Sequence, residues 1–295
     1  MHAAFPRISI VTPSFNQGEF IEETILSVLG QGYPNLEYIV IDGGSTDKTV
    51  EIIKKYESHI TYWVSEKDNG QSHAINKGFS KATGDILGWL NSDDIYMPNC
   101  LAKVSTLMKS NEAAILYGNC MHFKEHTEEL ITWGSDVIGL SKATSLENID
   151  FIIQPSTFWT KRTWNEVGSL MEDLGFAFDW EWFLRAKSRG VKFYNTSKCL
   201  SLYRIHDSQK SGVGVKKRQD EILDVYKKYS GRYANLFEMI LSEDLDNSSF
   251  QFKLIRKALG IVNKPFGISK MLKLKFPNKY KGYSTEEIHN CLRML

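Results

Sequence analysis

The first hundred residues alternate short apolar segments, which are typical of β-strands, with segments whose apolar residues recur at helical spacing. The strand patterns are Arg7–Thr12, Leu36–Ile41, Ile60–Val64 and Asp85–Leu90, and the helical patterns between them are Gly18–Leu29, Asp47–Tyr56 and Ser72–Lys81. Strands that alternate with helices of this length indicate βαβ units. The sequence therefore predicts an α/β fold on a mostly parallel, Rossmann-like sheet, because parallel neighbours require crossover connections.

The second half of the chain has a less regular pattern. The predicted elements are a helix from Pro98 to about Met108, a strand at Ala114–Tyr117, a mixed region with antiparallel strands over 119–160, a helix at Asp179–Ser188 and a strand at Cys199–Ile205. From about Lys216 onward the chain is helical and more basic, with breaks expected at Pro265 and Pro277. We therefore expect a first domain over residues 1–212 and a helical C-terminal region over 213–295.

Composition is that of an ordinary soluble protein. Of the 295 residues, 42% are hydrophobic and 24% are charged, and no apolar run is long enough to span a membrane. The four cysteines lack the spacing of a zinc site or a disulfide scaffold, and the start MHAAFPRISIVTPSF lacks the pattern of a signal peptide. These features predict a cytoplasmic protein. The formal net charge of +1 gives no reason to expect a nucleic-acid partner.

Four polar segments follow the predicted strands of the first domain. They are TPSFNQG, DGGSTD, SEKDNGQS and NSDD. In an open parallel sheet, ligands bind outside the carboxyl ends of the strands. We therefore expect all four segments to converge on one edge of the sheet and to form the functional site there.

The first two segments contain candidate binding residues. Pro13 shapes the turn after the first strand, and Asn16 precedes a helix whose N-terminal N–H groups suit an anion or a base edge. Asp42, at the end of the second strand, can accept hydrogen bonds from a ribose or a base. Both segments are also consistent with ordinary strand-to-helix loops whose polar residues cap the next helix.

The third segment places Asp68 before a helix that carries Asn76, Lys77 and Gly78. Lys77 either offers a positive charge to a phosphate group or is a solvated surface residue. A glycine inside a helix costs about 1 kcal/mol relative to alanine. Gly78 therefore predicts a close approach at this point, by a packed neighbour or by a ligand.

The segment NSDD places two adjacent carboxylates, Asp93 and Asp94, at the end of an apolar strand. Such carboxylates repel each other, and partial burial raises the cost of charging both, so we expect a cation, a helix N-terminus or water to compensate. Oxygen ligands on such a loop suit Mg²⁺ or Mn²⁺, since Mg²⁺ binds one or two carboxylates together with phosphate oxygens. The alternative is a solvated acidic turn before the next helix.

Two segments of the second half contain candidate catalytic residues. GFAFDWEWFLRAKSRG presents Asp179 and Glu181 among aromatic side chains, where a carboxylate can act as a general base and flat rings suit a sugar. In the alternative interpretation, Asp179 caps the helix and Glu181 pairs with Arg185. LYRIHDSQKS follows a strand and contains His206, which is either a ligand or a structural histidine.

Together, these segments resemble the family 2 glycosyltransferases of the GT-A fold. The resemblance extends from about Arg7 to Ser211 and rests on six blocks in the family's order, SIVTPSFN, IVIDGGSTDKT, DNGQSHAINKG, GDILGWLNSDD, FDWEWFLR and YRIHDSQKS. It implies a GT-A sheet with a smaller antiparallel part on the acceptor side. The activity that it implies is hexosyltransferase-like: a sugar moves from a nucleotide-diphosphate sugar, a UDP-sugar by preference, to an acceptor hydroxyl with inversion.

The resemblance also implies a role for each candidate residue. The nucleotide sugar would be bound by Pro13, Asn16, Asp42, Asp68, Asn76, Lys77, Asn91 and Ser92. Asp93 and His206 would hold Mg²⁺ or Mn²⁺, and Asp179 would be the catalytic base. Asn91 departs from the commoner form of the acidic motif, which has Asp at this position, and the missing charge is expected to reduce metal affinity.

Residues 213–295 lie outside this resemblance. From Gln251 to Thr285 there are nine basic residues and no acidic one. Interspersed with apolar residues, they predict peripheral attachment to an anionic membrane surface on the inner face of the cell membrane, which would suit a lipid-linked or glycan acceptor. The alternative is a helical appendage with a solvated basic face, or an oligomerisation region.

Three functions are compatible with these features. The first is an inverting, metal-dependent glycosyltransferase in the assembly of a surface polysaccharide or glycolipid. The second is a nucleotide-sugar-binding protein that has lost catalysis and assembles partners at the membrane, an interpretation that Asn91 favours. The third, a nucleotidyltransferase, predicts a glycine-rich basic loop after the first strand, which TPSFNQGEF does not provide.

Overall fold

Eight strands pair into one sheet. They are β1 (Ile8–Ser14), β2 (Leu36–Asp42), β3 (Tyr62–Ser65), β4 (Ile86–Trp89), β5 (Ile95–Tyr96), β6 (Ala114–Lys124), β7 (Thr157–Thr160) and β8 (Lys192–Ile205). The computed structural model describes residues 5–108, 112–124, 135–206, 215–243 and 265–295, and within them the strand order is β3–β2–β1–β4–β7–β6–β8–β5. Strands β3, β2, β1 and β4 are parallel, as are β6 and β8, whereas β7 and β5 run antiparallel to their neighbours. The predicted mostly parallel sheet with an antiparallel part is confirmed.

Helices connect these strands in the predicted order. They are α1 (Ile21–Leu29), α2 (Thr49–Lys55), α3 (Gln71–Lys81), α4 (Cys100–Leu107), α5 (Val137–Ala143), α6 (Lys161–Val167) and α7 (Phe178–Ser188). The order β1–α1–β2–α2–β3–α3–β4 gives three consecutive βαβ units. Because the strands β1, β2 and β4 are parallel, their carboxyl ends meet at one edge of the sheet.

One apolar layer joins the sheet to α1 and α4. Ile8 and Ile10 of β1 belong to a fully buried cluster that also contains Ile25 of α1 and Val104 of α4. Burying a side chain of this size contributes about 1.5–3 kcal/mol relative to leaving it exposed. This layer packs one face of the sheet against α1 and α4.

Gly78 lies where α3 packs closely on the opposite face of the sheet. A β-carbon at Gly78 would overlap Cγ1 of Val11 on β1 and lie 3.3 Å from Cγ1 of Ile41 on β2. Protein interiors have little spare room for such a group, so any larger residue must displace the Val11 side chain or move α3 away from the sheet. The close approach expected at this glycine is therefore made by a packed neighbour, the side chains of the sheet.

A cluster of aromatic side chains fixes α7 against the sheet. The ring centroids of Trp89 and Trp159, on β4 and β7, are 5.3 Å apart, and Trp182 of α7 lies 4.9 Å from Trp159. Phe178, the first residue of α7, lies 6.3 Å from Trp89. These contacts place the start of α7 beside the last residue of β4.

The chain divides into two compact units, Met1–Lys142 with Phe151–Val213 and Ala143–Asp150 with Gly214–Leu295. The described helices of the second unit are α8 (Val215–Tyr229), α9 (Gly231–Leu241), α10 (Pro265–Lys275) and α11 (Thr285–Arg293). Within this unit, Asn290 Nδ2 donates to Asn148 Oδ1 at 2.6 Å, and the Tyr226 hydroxyl donates to the carbonyl oxygen of Asn148 at 2.7 Å. The segment 143–150 therefore shares a buried hydrogen-bonded core with the C-terminal helices.

Several details differ from the sequence pattern. Strand β6 continues to Lys124 and β8 begins at Lys192, because the two strands pair in parallel over almost their whole length. Of the nine basic residues in the C-terminal segment, Lys253, Arg256, Lys257 and Lys264 lie outside the described residues. Across the described parts of the chain, no helix combines the length and the apolar composition needed to cross a bilayer.

Candidate active site

The loops that follow β1 and β2 are tied together by hydrogen bonds. The N–H of Asn16 donates to Ser45 Oγ at 2.7 Å, and the N–H of Thr46 donates to Asn16 Oδ1 at 2.9 Å. The N–H of Gly18 donates to Asp47 Oδ2 at 2.8 Å. Asn16 has a φ of 52°, a left-handed conformation that asparagine tolerates better than most residues. Asn16 therefore shapes this edge of the sheet by joining its two loops.

Asp42 is buried beneath the loop that follows it. Its Oδ2 accepts from the N–H groups of Gly44 and Ser45 at 3.1 and 2.9 Å and from Ser65 Oγ at 2.6 Å, and its Oδ1 accepts from Ser45 Oγ at 2.5 Å. Gly44 has a φ of 85°, which favours glycine. In this structure the carboxylate stabilises its own loop, and its predicted contact with the nucleotide stays a prediction.

Asp68 brings the loop after β3 against the loop after β2. A β-carbon at Gly43 would lie 2.7 Å from Asp68 Oδ2, so a larger residue there would require the Asp68 carboxylate to move. Asp68 Oδ1 accepts from the N–H of Gly70 at 2.8 Å, just before α3 begins. Three of the four polar segments thus meet side by side.

Three features at the end of β1 and in the loop after it are typical of a binding surface. Pro13 is buried, and next to it the hydroxyl of Ser14 is buried without a hydrogen-bond partner among the described residues, as is Oε1 of Gln17. Buried polar atoms of native proteins almost always have partners. Phe15 leaves 58% of its surface exposed at the same place. Sequence analysis did not single out Phe15, although an aromatic residue in an otherwise polar strand-end loop is a usable signal.

Asn91 is the centre of a network of amide groups. Its Oδ1 accepts from Gln71 Nε2 at 2.8 Å, and its Nδ2 donates to Asp94 Oδ2 and to Gln154 Oε1, both at 3.3 Å. The next residue, Ser92, is buried. An aspartate at position 91 would place another negative charge against Asp94. The uncharged amide of Asn91 avoids this repulsion and donates a hydrogen bond instead.

Asp94 and its neighbour Asp93 face different environments. Asp94 is only 1% exposed, and burial raises the pKa of its carboxyl well above the ordinary value, with a further rise from the charge of Asp93. Hydrogen bonds from the N–H of Arg204 and from Asn91 oppose this rise. The compensation that two adjacent carboxylates require is therefore supplied in part by Arg204, a cation on β8.

Asp93 points toward His206. Its Oδ2 lies 3.1 Å from Nε2 of His206, and the carboxylate is 23% exposed whereas the imidazole is only 9% exposed. The ring of His206 packs on Phe20, with centroids 4.4 Å apart. A carboxylate and an imidazole from separate segments thus share one partly exposed position at the carboxyl edge of the sheet.

This pair is compatible with a divalent cation. Within the described residues, no group of three or more His, Cys, Asp or Glu side chains is arranged to hold a metal. Mg²⁺ typically binds one or two carboxylates and completes its shell with substrate phosphates and water, so it does not require such a group. Asp93 and His206 have the donor atoms for that kind of shared site.

Asn76 and Lys77 of α3 have protein partners. Asn76 Oδ1 accepts from the N–H of Leu170 at 2.9 Å, and its Nδ2 donates to the carbonyl oxygen of Leu170 at 3.0 Å and to Glu172 Oε1 at 2.9 Å. Lys77 forms an ion pair with Glu66. Their predicted nucleotide contacts stay predictions, whereas their observed contacts organise the loops around the site.

Asp179 lies in the first turn of α7 and is partly exposed. Its Oδ1 accepts from the N–H of Trp180 at 2.8 Å. Because Phe178 packs on Trp89, Asp179 lies near the carboxyl end of β4, from which NSDD continues. Glu181 is buried and pairs with Arg185 at 2.9 Å, as the structural interpretation of that carboxylate predicts.

Comparison with known proteins agrees with this arrangement. A family model described as Glycosyl transferase family 2 matches residues 9–167, more than half of the chain. The chain belongs to glycosyl transferase family 2. The matched residues of this glycosyltransferase include NSDD and the loops after β1, β2 and β3 but end before Asp179 and His206.

Curated relatives of this glycosyltransferase come from several bacteria. An uncharacterized glycosyltransferase of Rickettsia typhi is 28% identical over 227 residues, which cover 73% of this chain and 69% of the relative. A putative teichuronic acid biosynthesis glycosyltransferase of Bacillus subtilis, TuaG, is 29% identical over 206 residues, which cover 68% of this chain and 79% of the relative.

Solved structures show that the family 2 chain has the GT-A fold. Residues 1–349 of TarS from S. aureus, in complex with UDP-GlcNAc, superpose with a TM-score of 0.58 at 15% identity, covering 94% of this chain and 74% of that one. The mannosyltransferase PcManGT from Pyrobaculum calidifontis, in complex with GDP-Man and Mn²⁺, gives a TM-score of 0.56 at 17% identity, covering 96% and 77%. The predicted GT-A fold is therefore confirmed.

Proposed function

We propose that this glycosyltransferase moves a sugar from a nucleoside-diphosphate sugar to an acceptor hydroxyl with inversion at the anomeric carbon. The observation that carries the proposal is that two features lie at the carboxyl end of β4: the pair that Asp93, on the loop that follows this strand, forms with His206, and the start of α7, where Phe178 packs against Trp89. A cation-binding pair and a separate carboxylate at one sheet edge are the parts that a single displacement requires.

The nucleotide is proposed to bind the loops after β1, β2 and β3. The unpartnered Ser14 hydroxyl and the exposed ring of Phe15 support this placement. Phe15 offers a flat face on which a base can stack. The donor is proposed to be a UDP-sugar, because the TarS neighbour binds UDP-GlcNAc, and a GDP-sugar is the alternative because PcManGT binds GDP-Man.

Asp93 and His206 are proposed to hold Mg²⁺ or Mn²⁺ together with the diphosphate. A divalent cation would neutralise the negative charge that develops on the leaving nucleoside diphosphate. The chain's own contribution is to keep the carboxylate and the imidazole within hydrogen-bond distance of each other, with His206 held by Phe20. PcManGT supports the choice of cation, since it was solved with Mn²⁺.

Asp179 is proposed to be the general base. Inversion requires a base that removes the proton of the acceptor hydroxyl on the face opposite the leaving group, and a positioned base contributes roughly 10²–10⁴ in rate. The carboxylate is partly exposed, so it can reach an acceptor, and its helix is anchored by buried aromatic rings. These features support Asp179 over the buried Glu181.

The acceptor is proposed to be a growing surface polysaccharide or a glycolipid. The relative TuaG, described as a putative enzyme of teichuronic acid biosynthesis, supports this class. Peripheral attachment to an anionic membrane through residues 213–295 is part of the proposal, because the described residues 265–284 carry five lysines and no acidic side chain.

A donor screen tests the proposed function. Purified chain is incubated with UDP- and GDP-sugars and with Mn²⁺ or Mg²⁺, and transfer to candidate acceptors or hydrolysis of the donor is followed by release of nucleoside diphosphate. We expect Asp179→Asn to abolish transfer and to leave donor affinity nearly unchanged. The matched control is Asp173→Asn, an exposed carboxylate in the loop before α7. Normal turnover by Asp179→Asn would remove this residue from the mechanism.

A further inference from the structure

Arg204 is a buried cation near the end of β8, two residues before His206. It is only 1% exposed. Its guanidinium lies between two aromatic rings, 5.0 Å from the centroid of Phe20 and 4.7 Å from that of Phe123. A charge removed from water to this extent is tolerated only when it is paired and hydrogen-bonded.

Two polar contacts of Arg204 are with the segment NSDD that follows β4. Its Nε donates to the carbonyl oxygen of Asp93 at 2.9 Å, and its own N–H donates to Asp94 Oδ1 at 3.2 Å. Its Nη2 pairs with Glu23 Oε2 of α1 at 2.5 Å. One guanidinium thus connects a strand, a helix and the main chain of the loop that follows β4.

The end of β8 and the residue that follows it therefore hold Asp93 at two points. Arg204 binds the main chain of Asp93, and His206, two residues farther along, binds its carboxylate. Phe20 packs against both side chains, with His206 at 4.4 Å and Arg204 at 5.0 Å. Fixing the peptide on one side and the carboxylate on the other determines which way Asp93 faces.

We propose that Arg204 is a positioning residue for donor binding, which keeps Asp94 buried and turns the Asp93 carboxylate toward the diphosphate. This inference rests on the proposed function and adds to it a residue outside the predicted site. Arginine is needed because its fork donates from Nε and Nη2 in different directions, whereas lysine has a single terminal ammonium group. Groups that orient a metal-binding residue in this way typically contribute 10–100-fold to affinity.

The test measures binding of UDP and of GDP, each with Mn²⁺ and with EDTA, by titration calorimetry of the full chain. The variants are Arg204→Lys and Arg204→Gln. The matched control is Arg185→Lys, because Arg185 is a largely buried arginine whose contacts are with Glu181 and the loop after α6. Melting temperatures and the titrated binding stoichiometry report the folded fraction of each protein.

We expect Arg204→Lys to weaken Mn²⁺-dependent nucleotide binding about tenfold per folded molecule, and Arg204→Gln to weaken it further. Binding in EDTA should stay unchanged, as should all binding by Arg185→Lys. A purely structural role would lower the melting temperature and the folded fraction but leave the dissociation constant unaltered. Unaltered constants in both Arg204 variants would therefore overturn this inference while leaving the proposed function intact.

A second variant keeps the test decisive if the buried position does not tolerate substitution. Glu23 has 57% of its side chain exposed, so Glu23→Lys acts on Arg204 by repulsion without opening a cavity. We expect weaker Mn²⁺-dependent binding by this variant as well, and an unchanged constant would count against the inference. If the wild-type chain binds neither nucleotide under any condition, the proposed function fails and this inference fails with it.

Discussion

Asn76 on α3 holds the main chain of Leu170 from both sides, since its amide oxygen accepts from the N–H of Leu170 at 2.9 Å and its amide nitrogen donates to the carbonyl oxygen at 3.0 Å. Leu170 lies in the segment between α6 and α7, which leads to Asp179. The side-chain amide of Asn76 is therefore hydrogen-bonded to the loop that precedes α7 and the proposed base, Asp179.

Asn76→Ala should lower the turnover number more than it weakens donor binding. Loss of the two main-chain contacts leaves buried polar groups unpaired at a cost of about 1–3 kcal/mol, and it loosens the segment before α7. Steady-state kinetics with calorimetric donor titration separates the two effects. Ser80→Ala, at an exposed position of the same helix, is the control for general damage to α3. A selective loss of donor affinity would instead favour a direct nucleotide contact.

Phe15→Ala should weaken nucleotide binding without loss of stability. Stacking of a base on an aromatic ring contributes about 1–3 kcal/mol, which corresponds to roughly 5- to 150-fold in affinity. The ring is 58% exposed, so its removal creates no cavity. Fluorescence or calorimetric titration with UDP and GDP measures the change. Phe5→Ala, at a residue that is 57% exposed, is the matched control, and equal affinities in the two variants would refute stacking at Phe15.

Gly78→Ala should destabilise the fold although alanine is the better helix former. The intrinsic preference favours alanine by about 1 kcal/mol, but the added carbon overlaps Val11, and overpacking typically costs about 1–3 kcal/mol. Urea denaturation gives the free energy of unfolding. Gly231→Ala at the start of α9 is the control, because a β-carbon there has no neighbour within 4 Å. The double variant Val11→Ala with Gly78→Ala should recover part of the loss.

Glu37 should make stability depend on acidic pH. Burial by itself would raise the pKa of this carboxyl, but hydrogen bonds from Ser9 and Thr83 and the charge of Arg7 outweigh it and hold the pKa below its ordinary value. The folded pKa is therefore lower than the unfolded one, near 4.3. The stabilisation is complete above the unfolded pKa and is lost as the pH falls through the folded pKa.

The measurement for Glu37 compares the wild-type chain with Glu37→Gln in urea at several pH values between 7 and 3. We expect the variant to be less stable by about 1–3 kcal/mol at pH 7, with the difference shrinking toward pH 3. Glu19→Gln, at an exposed position, serves as the control. A difference that does not change with pH would show that the carboxylate charge is not the stabilising feature.

The order of elements and the edge that carries the site could be predicted from sequence because both depend on local patterns. Period-two and helical spacing identified β1 to β4 with their helices, and the polar segments after the strands follow from the geometry of parallel sheets. Gly78 could be recognised as a point of close approach because a glycine inside a helix is costly.

Other features could not be predicted because they depend on contacts between segments that are far apart in sequence. Strand β8 begins at Lys192, where KFYNTSK shows no apolar alternation and pairs with β6 only in the folded sheet. Arg204 was one of many basic residues in the sequence, and its burial against Asp93 and Asp94 joins segments more than a hundred residues apart. Single residues that act over such separations leave no periodic signal.

The membership of residues 143–150 in the second unit has a consequence for how such chains can be rearranged. Residues 143–150 belong to that unit, and the chain then returns to the first unit at Phe151 to form β7. Asn148 can therefore form its hydrogen bonds with Asn290 and Tyr226 only when the C-terminal helices are present. A chain shortened after residue 213 would leave Asn148 without these partners and would expose Leu146 and Ile149, which are buried in the full chain. Recombination at that junction would separate residues 143–150 from the helices of their own unit, so the C-terminal helices must be exchanged together with this segment.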